Sequence, residues 1–313
     1  MRSIRLVLRF GLLACVSSAS VYGKTSGTLV IAGGGRLADE ALSAFHQAAG
    51  GVDFARLVVI PTASSRADDS DEQDGFLEPW RNDGIAADSF SVLHTRSPQV
   101  AAQGGFTDPI EEANSVWMSG GSQERLTAAY GGGPVQAALH DLLARDGVVG
   151  GSSAGAAVMG DPMIEGGSTV PEIGPGFGLL PGVVVDQHFT ERGRITRLRR
   201  ALADFPDHAG LGIDERTAVV VRDGIVTVVG DRTVTAIWPS SSTTPGRELV
   251  MEAGETVSLE ALVVPAFSGL AGDYNNNDGL VDAADYTVWR DSLNAPARTL
   301  PNDVFGGSTA RVA

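Results

Sequence analysis

Residues 150–157, Gly-Gly-Ser-Ser-Ala-Gly-Ala-Ala, constrain the fold of this chain more than any other stretch. A short apolar strand precedes them, and small apolar residues typical of a buried helix follow. Gly151, Ser153 and Gly155 have the spacing of a nucleophile elbow, in which a sharp strand-to-helix turn lifts a serine hydroxyl above a sheet. Glycines allow the backbone to pass closely there, and the helix N-terminus faces a developing oxyanion. The stretch predicts a nucleophilic Ser153; a glycine-rich turn with an incidental serine is the alternative.

The chain before the elbow alternates between short apolar runs and helical patterns. Strands are predicted within 27–35 and at 56–60, 90–94 and 115–118, with helices at 38–50, 123–130 and 134–144. This alternation predicts an α/β fold with a mostly parallel sheet and helices on both faces. The Gly-Gly-Gly at 33–35 lacks the G-x-G-x-x-G spacing, which favours a structural turn over a dinucleotide site.

From Ala209 the pattern changes to short β-branched runs at 211–214, 218–222, 225–229 and 233–238. Asp223-Gly224 and Gly230-Asp231 separate three of these runs. Such dipeptides are typical of the turns of antiparallel hairpins. We therefore expect antiparallel strands after the parallel part of the sheet.

A serine nucleophile needs a base, and the chain offers five histidines: His46, His94, His140, His188 and His208. The first and third lie in amphipathic helix patterns and are predicted to be surface or boundary residues. His94 lies near a strand end and stays a candidate. His188 follows the apolar run 179–185, so it is expected at a strand end facing the elbow.

An acid that orients the base is expected within Asp214-Glu215, which follows another predicted strand. Adjacent residues of a strand point to opposite sides, so one of these carboxylates faces the base. The spacing does not choose between them.

Both ends of the chain look like additions to this domain. Residues 1–23 combine Arg2 and Arg5 with an apolar run and a small-residue stretch, which predicts a signal peptide and export to the periplasm, cell surface or medium. The run is too short to span a membrane. Cys15, the only cysteine, also fits a lipoprotein signal as an alternative.

The C-terminal segment, residues 268–313, contains alternating carboxylates and amides that suit a hard cation such as Ca²⁺. It is similar to a single dockerin-like, EF-hand-like repeat, followed by a helix at 286–293. The predicted ligands are Asp273, Asn275, Asp278, Asp282 and Asp285. A solvated Asp/Asn turn is the alternative, and a cohesin-type partner is expected only if one repeat suffices, because such repeats usually occur in pairs.

The domain at 24–267 resembles the cyanophycinases, within the serine peptidases that include dipeptidase E. The matching pieces are Gly-Gly-Ser-Ser-Ala-Gly-Ala at 150–156, Gly-Gly-x-Gln at 120–123, Asp-Gln-His-Phe at 186–189 with the following arginines, and Gly-Ile-Asp-Glu at 212–215. The resemblance covers residues 27–240. It departs at Ser122, where the family usually has aspartate.

The resemblance implies a class I glutamine amidotransferase-like fold and assigns roles to particular residues. Ser153 would be the nucleophile, His188 the base and Glu215 the orienting acid, without a catalytic cofactor. Backbone N–H groups of Ala154 and Gly121 would form the oxyanion hole. The substrate pocket or its supporting shell would comprise Gln123, Asp186, Gln187, Arg192, Arg194 and Arg197.

Together with the predicted signal peptide, the resemblance implies an exported serine hydrolase that cleaves cyanophycin to β-Asp-Arg dipeptides. The Ser122 departure motivates an alternative, a peptidase for other aspartyl or isoaspartyl peptides. A non-catalytic surface binding protein is a third hypothesis. The formal charge of −15, without a long basic patch, argues against nucleic acid as a partner. Relatives suggest a homodimer.

Overall fold

A computed structural model describes residues 27–86, 89–240 and 246–263. The signal peptide, Cys15 and the five predicted calcium ligands lie outside these residues. The strands within the described ranges are β1 Thr28–Ala32, β2 Leu57–Ile60, β3 Phe90–Val92, β4 Ser115–Met118, β5 Val148–Ser152, β6 Gly160–Asp161, β7 Met163–Gly166, β8 Glu172–Gly174, β9 Leu180–Pro181, β10 Val183–Gln187, β11 Ala209–Ile213, β12 Thr217–Arg222, β13 Ile225–Gly230, β14 Val234–Trp238, β15 Arg247–Met251 and β16 Thr256–Ser258.

Ten α-helices lie within the described residues. They are α1 Asp39–Ala48, α2 Ser70–Gln73, α3 Glu78–Asn82, α4 Pro98–Ala101, α5 Asp108–Glu112, α6 Gln123–Tyr130, α7 Pro134–Ala144, α8 Ala154–Ala157, α9 Ile195–Asp204 and α10 Leu259–Val263. In the described part of the chain, none of them is long and apolar enough to cross a membrane.

The main sheet has eight strands in the order β16-β13-β12-β1-β5-β4-β2-β3. Five neighbouring strands of this sheet run parallel, in the order β1-β5-β4-β2-β3. Strands β12, β13 and β16 add an antiparallel edge beside β1. The predicted α/β class with a mostly parallel sheet is thus confirmed. The central strand β5 lies between β1 and β4, which places the elbow in the middle of the sheet edge where ligands bind in such folds.

A second sheet, which the sequence did not predict, has the order β10-β11-β14-β15. Strand β10 runs parallel to β11, and the other pairs are antiparallel. It carries His188 and the Asp214-Glu215 pair at the ends of neighbouring strands. The base and its acid therefore come from a different sheet from the nucleophile.

Of the two predicted hairpins, one is confirmed and one is wrong. Asp223-Gly224 joins β12 and β13, with Arg222 opposite Ile225. Gly230-Asp231 instead joins strands of different sheets, because β13 pairs with β12 and β16 while β14 pairs with β11 and β15. Strand β13 already has a neighbour on each side, so β14 has no free edge of that sheet to join.

Apolar side chains fill both faces of the main sheet. One face packs against α1 and α3 through a cluster that contains Phe45, Trp80 and Trp117. The other packs against α6, α7 and α8 and continues beneath the second sheet. Since both faces are covered, the strands are apolar throughout, as is usual for parallel sheets.

Candidate active site

The turn after β5 has the geometry of a nucleophile elbow. Ser153 has φ 54° and ψ −108°, outside the regions that non-glycine residues favour, and its N–H donates to Ala32 O at 3.0 Å. The flanking glycines are required sterically. A Cβ at Gly151 would lie 2.4 Å from Gly155 O, and one at Gly155 would lie 2.2 Å from Met118 O. The strain is therefore held at the serine by close backbone packing on both sides.

His188 reaches the serine from the end of β10. Its Nε2 lies 2.8 Å from Ser153 Oγ. The backbone is again in the left-handed region, with φ 49°, and its N–H donates to Gly33 O at 2.7 Å. This bond ties the second sheet to the end of β1 and fixes the position of the ring.

Glu215, rather than Asp214, faces the histidine. Its Oε1 lies 2.5 Å from His188 Nδ1. A carboxylate only accepts, so Nδ1 carries the proton and Nε2 is free to accept from Ser153 Oγ–H. Asp214 is buried and accepts bonds from the N–H and hydroxyl groups of Thr190 and Thr233. The sequence spacing did not distinguish Asp214 from Glu215. In the structure the threonines bind Asp214, and Glu215 is the carboxylate that contacts His188.

Burial lowers the pKa of His188 below its ordinary value of 6.5, and the hydrogen bond to Glu215 opposes that shift. The nearby cations Arg192 and Arg194 lower the pKa further. The imidazole is therefore neutral at pH 7 and able to accept the serine proton.

Two backbone N–H groups are available for an oxyanion beside Ser153. Ala154 is the first residue of α8, and Gly121 lies in the exposed turn after β4. Neither N–H has an acceptor among the described residues. The turn passes close to the nucleophile, since a Cβ at Gly120 would lie 3.4 Å from Ser153 Cβ. Gly121 has φ 142°, and its Cβ would meet Ala63 O at 2.1 Å, so only glycine fits there.

Four of the predicted pocket residues contact one another: Asp186, Gln187, Arg194 and Arg197. Asp186 is buried and binds Arg197 through two nitrogens, one of them at 3.0 Å. Arg194 donates to Asp186 at 3.3 Å and to the Gln187 backbone and side-chain oxygens. Burial lowers the pKa of Arg194 to about 10, which leaves it charged at pH 7. This cluster, Asp186–Arg194–Arg197, links the end of β10 to the start of α9.

Gln123 and Arg192 stand at opposite extremes of exposure. Gln123 is buried and donates from Nε2 to Ile164 O at 2.7 Å, so it ties α6 to β7. Arg192 is exposed, and among the described residues it has no ion-pair partner. Of the three predicted arginines, Arg192 is therefore the one without an ion pair inside the described ranges.

His94 belongs to a second hydrogen-bonded network instead of the site. Its Nδ1 lies 2.8 Å from Thr62 Oγ1, and its Nε2 lies 3.0 Å from Asp68 Oδ1. Arg96 also binds Asp68 and donates to the carbonyl oxygens of Thr62 and Ser64. The network fixes the 61–65 loop, whose Ala63 O accepts the Ser122 N–H at 3.0 Å. It thus supports the turn that carries Gly121.

The glycines at 33–35 have a role in the site that the sequence did not reveal. A Cβ at Gly34 would lie 2.2 Å from His188 Cε1, and one at Gly35 would lie 2.9 Å from Glu215 Oε2. They make room for the base and its acid. The sequence showed only a glycine run at a strand end. The role could not be predicted because His188 and Glu215 lie more than 150 residues further along the chain.

His46 is buried, so the predicted surface or boundary position is wrong. Its ring packs edge-on against Phe45 and Trp80, and its Nε2 lies 3.5 Å from Asp83 Oδ2. The helix face that carries it is covered by α3. His140 is exposed, in agreement with the predicted surface or boundary position, and its Nε2 lies 2.8 Å from Phe177 O.

The described residues contain no group of three or more His, Cys, Asp or Glu side chains arranged to hold a metal ion. The calcium-loop prediction at Asp273, Asn275, Asp278, Asp282 and Asp285 falls outside them. It stays a prediction.

Comparison with known proteins places this geometry in a family. The sequence profile of Peptidase family S51 matches residues 29–229. A cyanophycinase from Geminocystis herdmanii is 35% identical over 207 residues, 63% of this chain and 74% of that protein. One from Thermosynechococcus vestitus is 35% identical over 207 residues, 63% of each chain.

A solved structure supports the fold. The crystal structure of a peptidase from an acI-B1 Actinobacterium superposes with a TM-score of 0.58 at 22% identity, and covers 75% of this chain and 98% of that one. The profile spans more than half of the chain, including the elbow, His188 and Glu215. The chain therefore belongs to Peptidase family S51 and is a serine-type peptidase.

Proposed function

We propose that this protein is an exported peptidase that hydrolyses cyanophycin, multi-L-arginyl-poly-L-aspartate, and releases β-Asp-Arg dipeptides through an acyl-enzyme. The observation that carries the proposal is the hydrogen-bonded chain Ser153–His188–Glu215 in a protein 35% identical to cyanophycinases. The relatives' name supplies the substrate, and the geometry supplies the reaction class.

In the acylation half, Ser153 Oγ attacks the scissile carbonyl carbon while His188 Nε2 accepts the hydroxyl proton. The negative charge moves to the carbonyl oxygen, where the N–H groups of Gly121 and Ala154 stabilise it. One such donor is worth about 10²–10³ in rate. The C–N bond then breaks, and His188 returns the proton to the leaving amine.

In the deacylation half, water attacks the acyl carbon and gives a proton to His188. The tetrahedral intermediate collapses, Ser153 recovers the proton from His188, and the product leaves with a new carboxyl group. Glu215 holds the ring in the required tautomer and stabilises the imidazolium at both stages.

Arg192 is proposed to bind a free carboxylate of the peptide substrate. It is exposed, close enough to His188 to lower the pKa of that ring, and not engaged in an ion pair within the described ranges. Arg194 and Arg197 are occupied by Asp186, so their contribution is to hold β10 and α9 together.

Product analysis tests the proposal directly. Residues 24–313 are incubated with insoluble cyanophycin, and the supernatant is analysed by mass spectrometry. We expect β-Asp-Arg dipeptides from the wild-type protein and none from Ser153→Ala. Dipeptide release by the Ser153→Ala variant would overturn the mechanism.

Ser122 favours a second substrate class, other aspartyl or isoaspartyl peptides. Its N–H donates to Ala63 O, so a backbone role survives the change from aspartate, whereas a side-chain role would not. Cleavage of a panel of α- and β-aspartyl peptides, without release from cyanophycin, would identify this class. Ser122→Asp should then restore polymer cleavage.

A folded protein that neither turns over peptide nor reacts with a phosphonate would instead be a binding protein.

Export and calcium binding are further parts of the proposal and rest on the sequence alone. N-terminal sequencing of the mature protein tests cleavage after residue 23, and acylation of Cys15 would identify a lipoprotein instead. Calorimetric titration of the full chain with Ca²⁺ tests the C-terminal repeat, with Asp278→Asn expected to weaken binding. Unchanged heat in that variant would argue against the loop.

A further inference from the structure

A cavity of about 520 Å³ opens at the carboxyl edge of the main sheet, on the face covered by α1 and α3. Its volume is within the range of small-molecule sites. It is separate from the Asp186–Arg194–Arg197 cluster, none of whose members line it.

The cavity adjoins both ends of the catalytic chain. Gly120 and Ser152 form its wall next to Ser153, and Gly35 forms its wall next to Glu215. A group bonded to the scissile carbonyl therefore has this cavity within reach. A substrate side chain can occupy it while the carbonyl lies at Ser153.

The interior of the cavity is apolar. Trp80 and Trp117 stand with ring centroids 5.3 Å apart, and Leu42 and Phe76 complete the wall. The elbow itself makes space for this wall, since a Cβ at Gly150 would lie 2.3 Å from the Trp117 ring. Such a wall suits an aliphatic stem or a flat cation.

The charged side chains that line the cavity are Arg36, Asp39 and Asp83. Asp83 is half-buried, and its Oδ2 lies 3.5 Å from His46 Nε2. At the mouth, Asp39 is paired with Arg36 at 3.3 Å, which leaves that pair neutral as a unit. The covering segment, residues 68–83, contains seven acidic residues and one arginine. Three of these carboxylates pair with arginines, and the negative charge that remains in excess attracts cations and repels carboxylates.

We infer that this cavity binds an arginine side chain of the peptide substrate, with the stem against Leu42 and Phe76 and the guanidinium at Asp83. The inference rests on the proposed function for its substrate and adds the subsite. A guanidinium fits because its planar fork matches one carboxylate and its face stacks on tryptophan. A lysine side chain would share the stem but lack the fork.

The first experiment compares two substrates that differ only in charge, β-aspartyl-arginine and β-aspartyl-citrulline oligomers. Asp83→Asn should raise KM for the arginyl substrate about tenfold, with kcat and the citrullinyl KM unchanged. Asp74→Asn is the matched control. It lies on the same segment, is exposed and pairs with Arg81. Equal effects of Asp83→Asn on both substrates, or none, would overturn the inference.

The second experiment does not depend on turnover, so it separates the subsite from the proposed function. Nα-acetylarginine amide is titrated into Ser153→Ala, and tryptophan fluorescence reports occupancy of the wall formed by Trp80 and Trp117. Adding Asp83→Asn should weaken binding about tenfold, and adding Asp74→Asn should not. If the wild-type protein cleaves no aspartyl peptide but this difference appears, the proposed function fails and the cation site stands. Binding that is absent, or unchanged by Asp83→Asn, would refute the site.

Discussion

His188 and His94 make the same pattern of hydrogen bonds in two regions of the molecule. Each joins a hydroxyl to a carboxylate, through Ser153 and Glu215 in one case and Thr62 and Asp68 in the other. The ring nitrogens are used in reverse, since His188 meets its acid through Nδ1 and His94 through Nε2. The hydroxyl-histidine-carboxylate pattern by itself therefore does not mark a catalytic site.

The difference lies in the hydroxyl. Thr62 is fully buried, and its oxygen also bonds Tyr130 OH at 2.8 Å, so it has no room for a substrate. Ser153 is partly exposed at a strained turn, with backbone N–H groups beside it that lack acceptors within the described ranges. Asp68 is moreover neutralised by Arg96, and hydrogen bonds from His94 and Arg96 lower its pKa. Ser153 therefore differs from Thr62 in two ways: a substrate can reach its hydroxyl, and N–H groups beside it can stabilise an oxyanion.

The largest expected effect contrasts the two hydroxyls. Ser153→Ala should reduce kcat by about 10⁴–10⁶, because the nucleophile is lost. Thr62→Val should keep activity within about tenfold but reduce stability by about 1–3 kcal/mol, because His94 and Tyr130 lose a buried partner. Phosphonate labelling tests whether each variant keeps a reactive serine, and urea unfolding measures the free energy of unfolding of each. A folded Thr62→Val protein that cannot be labelled would contradict the distinction.

The second contrast concerns the carboxylates. Glu215→Gln should lower kcat by about 10⁴, since the amide disfavours the tautomer that His188 needs. Asp68→Asn should change kcat by less than about tenfold, because His94 touches no reacting atom. Steady-state kinetics on aspartyl peptides measure both. Similar losses in the two variants would mean that His94 also takes part in the chemistry.

A third contrast tests the space for the His188 ring. Gly34→Ala and Gly132→Ala both place a side chain at positive φ, 116° and 66°, but only the first brings Cβ against a catalytic ring. Both should lose about 1–2 kcal/mol of stability. Gly34→Ala alone should lose about 10² in kcat/KM, because the ring is displaced. Equal kinetics in the two variants would show that the ring tolerates the contact.

The smallest effect is in the pH profile. A base must be neutral, so kcat/KM should fall as His188 gains a proton at low pH. Burial lowers the pKa of His188, so the midpoint of this acid limb should lie below 6.5. Asp68→Asn should leave the midpoint in place, whereas a shift in that variant, or a midpoint above 6.5, would contradict the assignment.

Local chemistry made a large part of this protein predictable. The strands and helices of the parallel part follow hydrophobic periodicity, and the helices at Gln123–Tyr130 and Pro134–Ala144 match the predicted bounds. The elbow was predictable because glycines beside a serine at a strand end permit a sharp turn that bulkier residues prevent. The hairpin at Asp223-Gly224 was predictable because this dipeptide favours the positive φ angles of a two-residue turn.

Contacts between distant segments were not predictable from spacing. The second sheet, the burial of His46 and the space at Gly34 each depend on which surfaces meet, and no local pattern records that. The cavity beside Ser153 likewise exists only when α3 covers the strand ends. The acidic residues of the covering segment can be read in the sequence, but the sequence does not indicate what they cover.

The sequence by itself determined a serine at a strand-to-helix turn, because that turn is made from a few adjacent residues whose steric limits are local. Only the tertiary structure decided which acid faces His188. Asp214 and Glu215 are neighbours with the same chemistry, and packing directs one carboxylate to Thr190 and Thr233 and the other to His188. Two adjacent side chains of a strand end point apart, so their roles follow from what the fold places on each side.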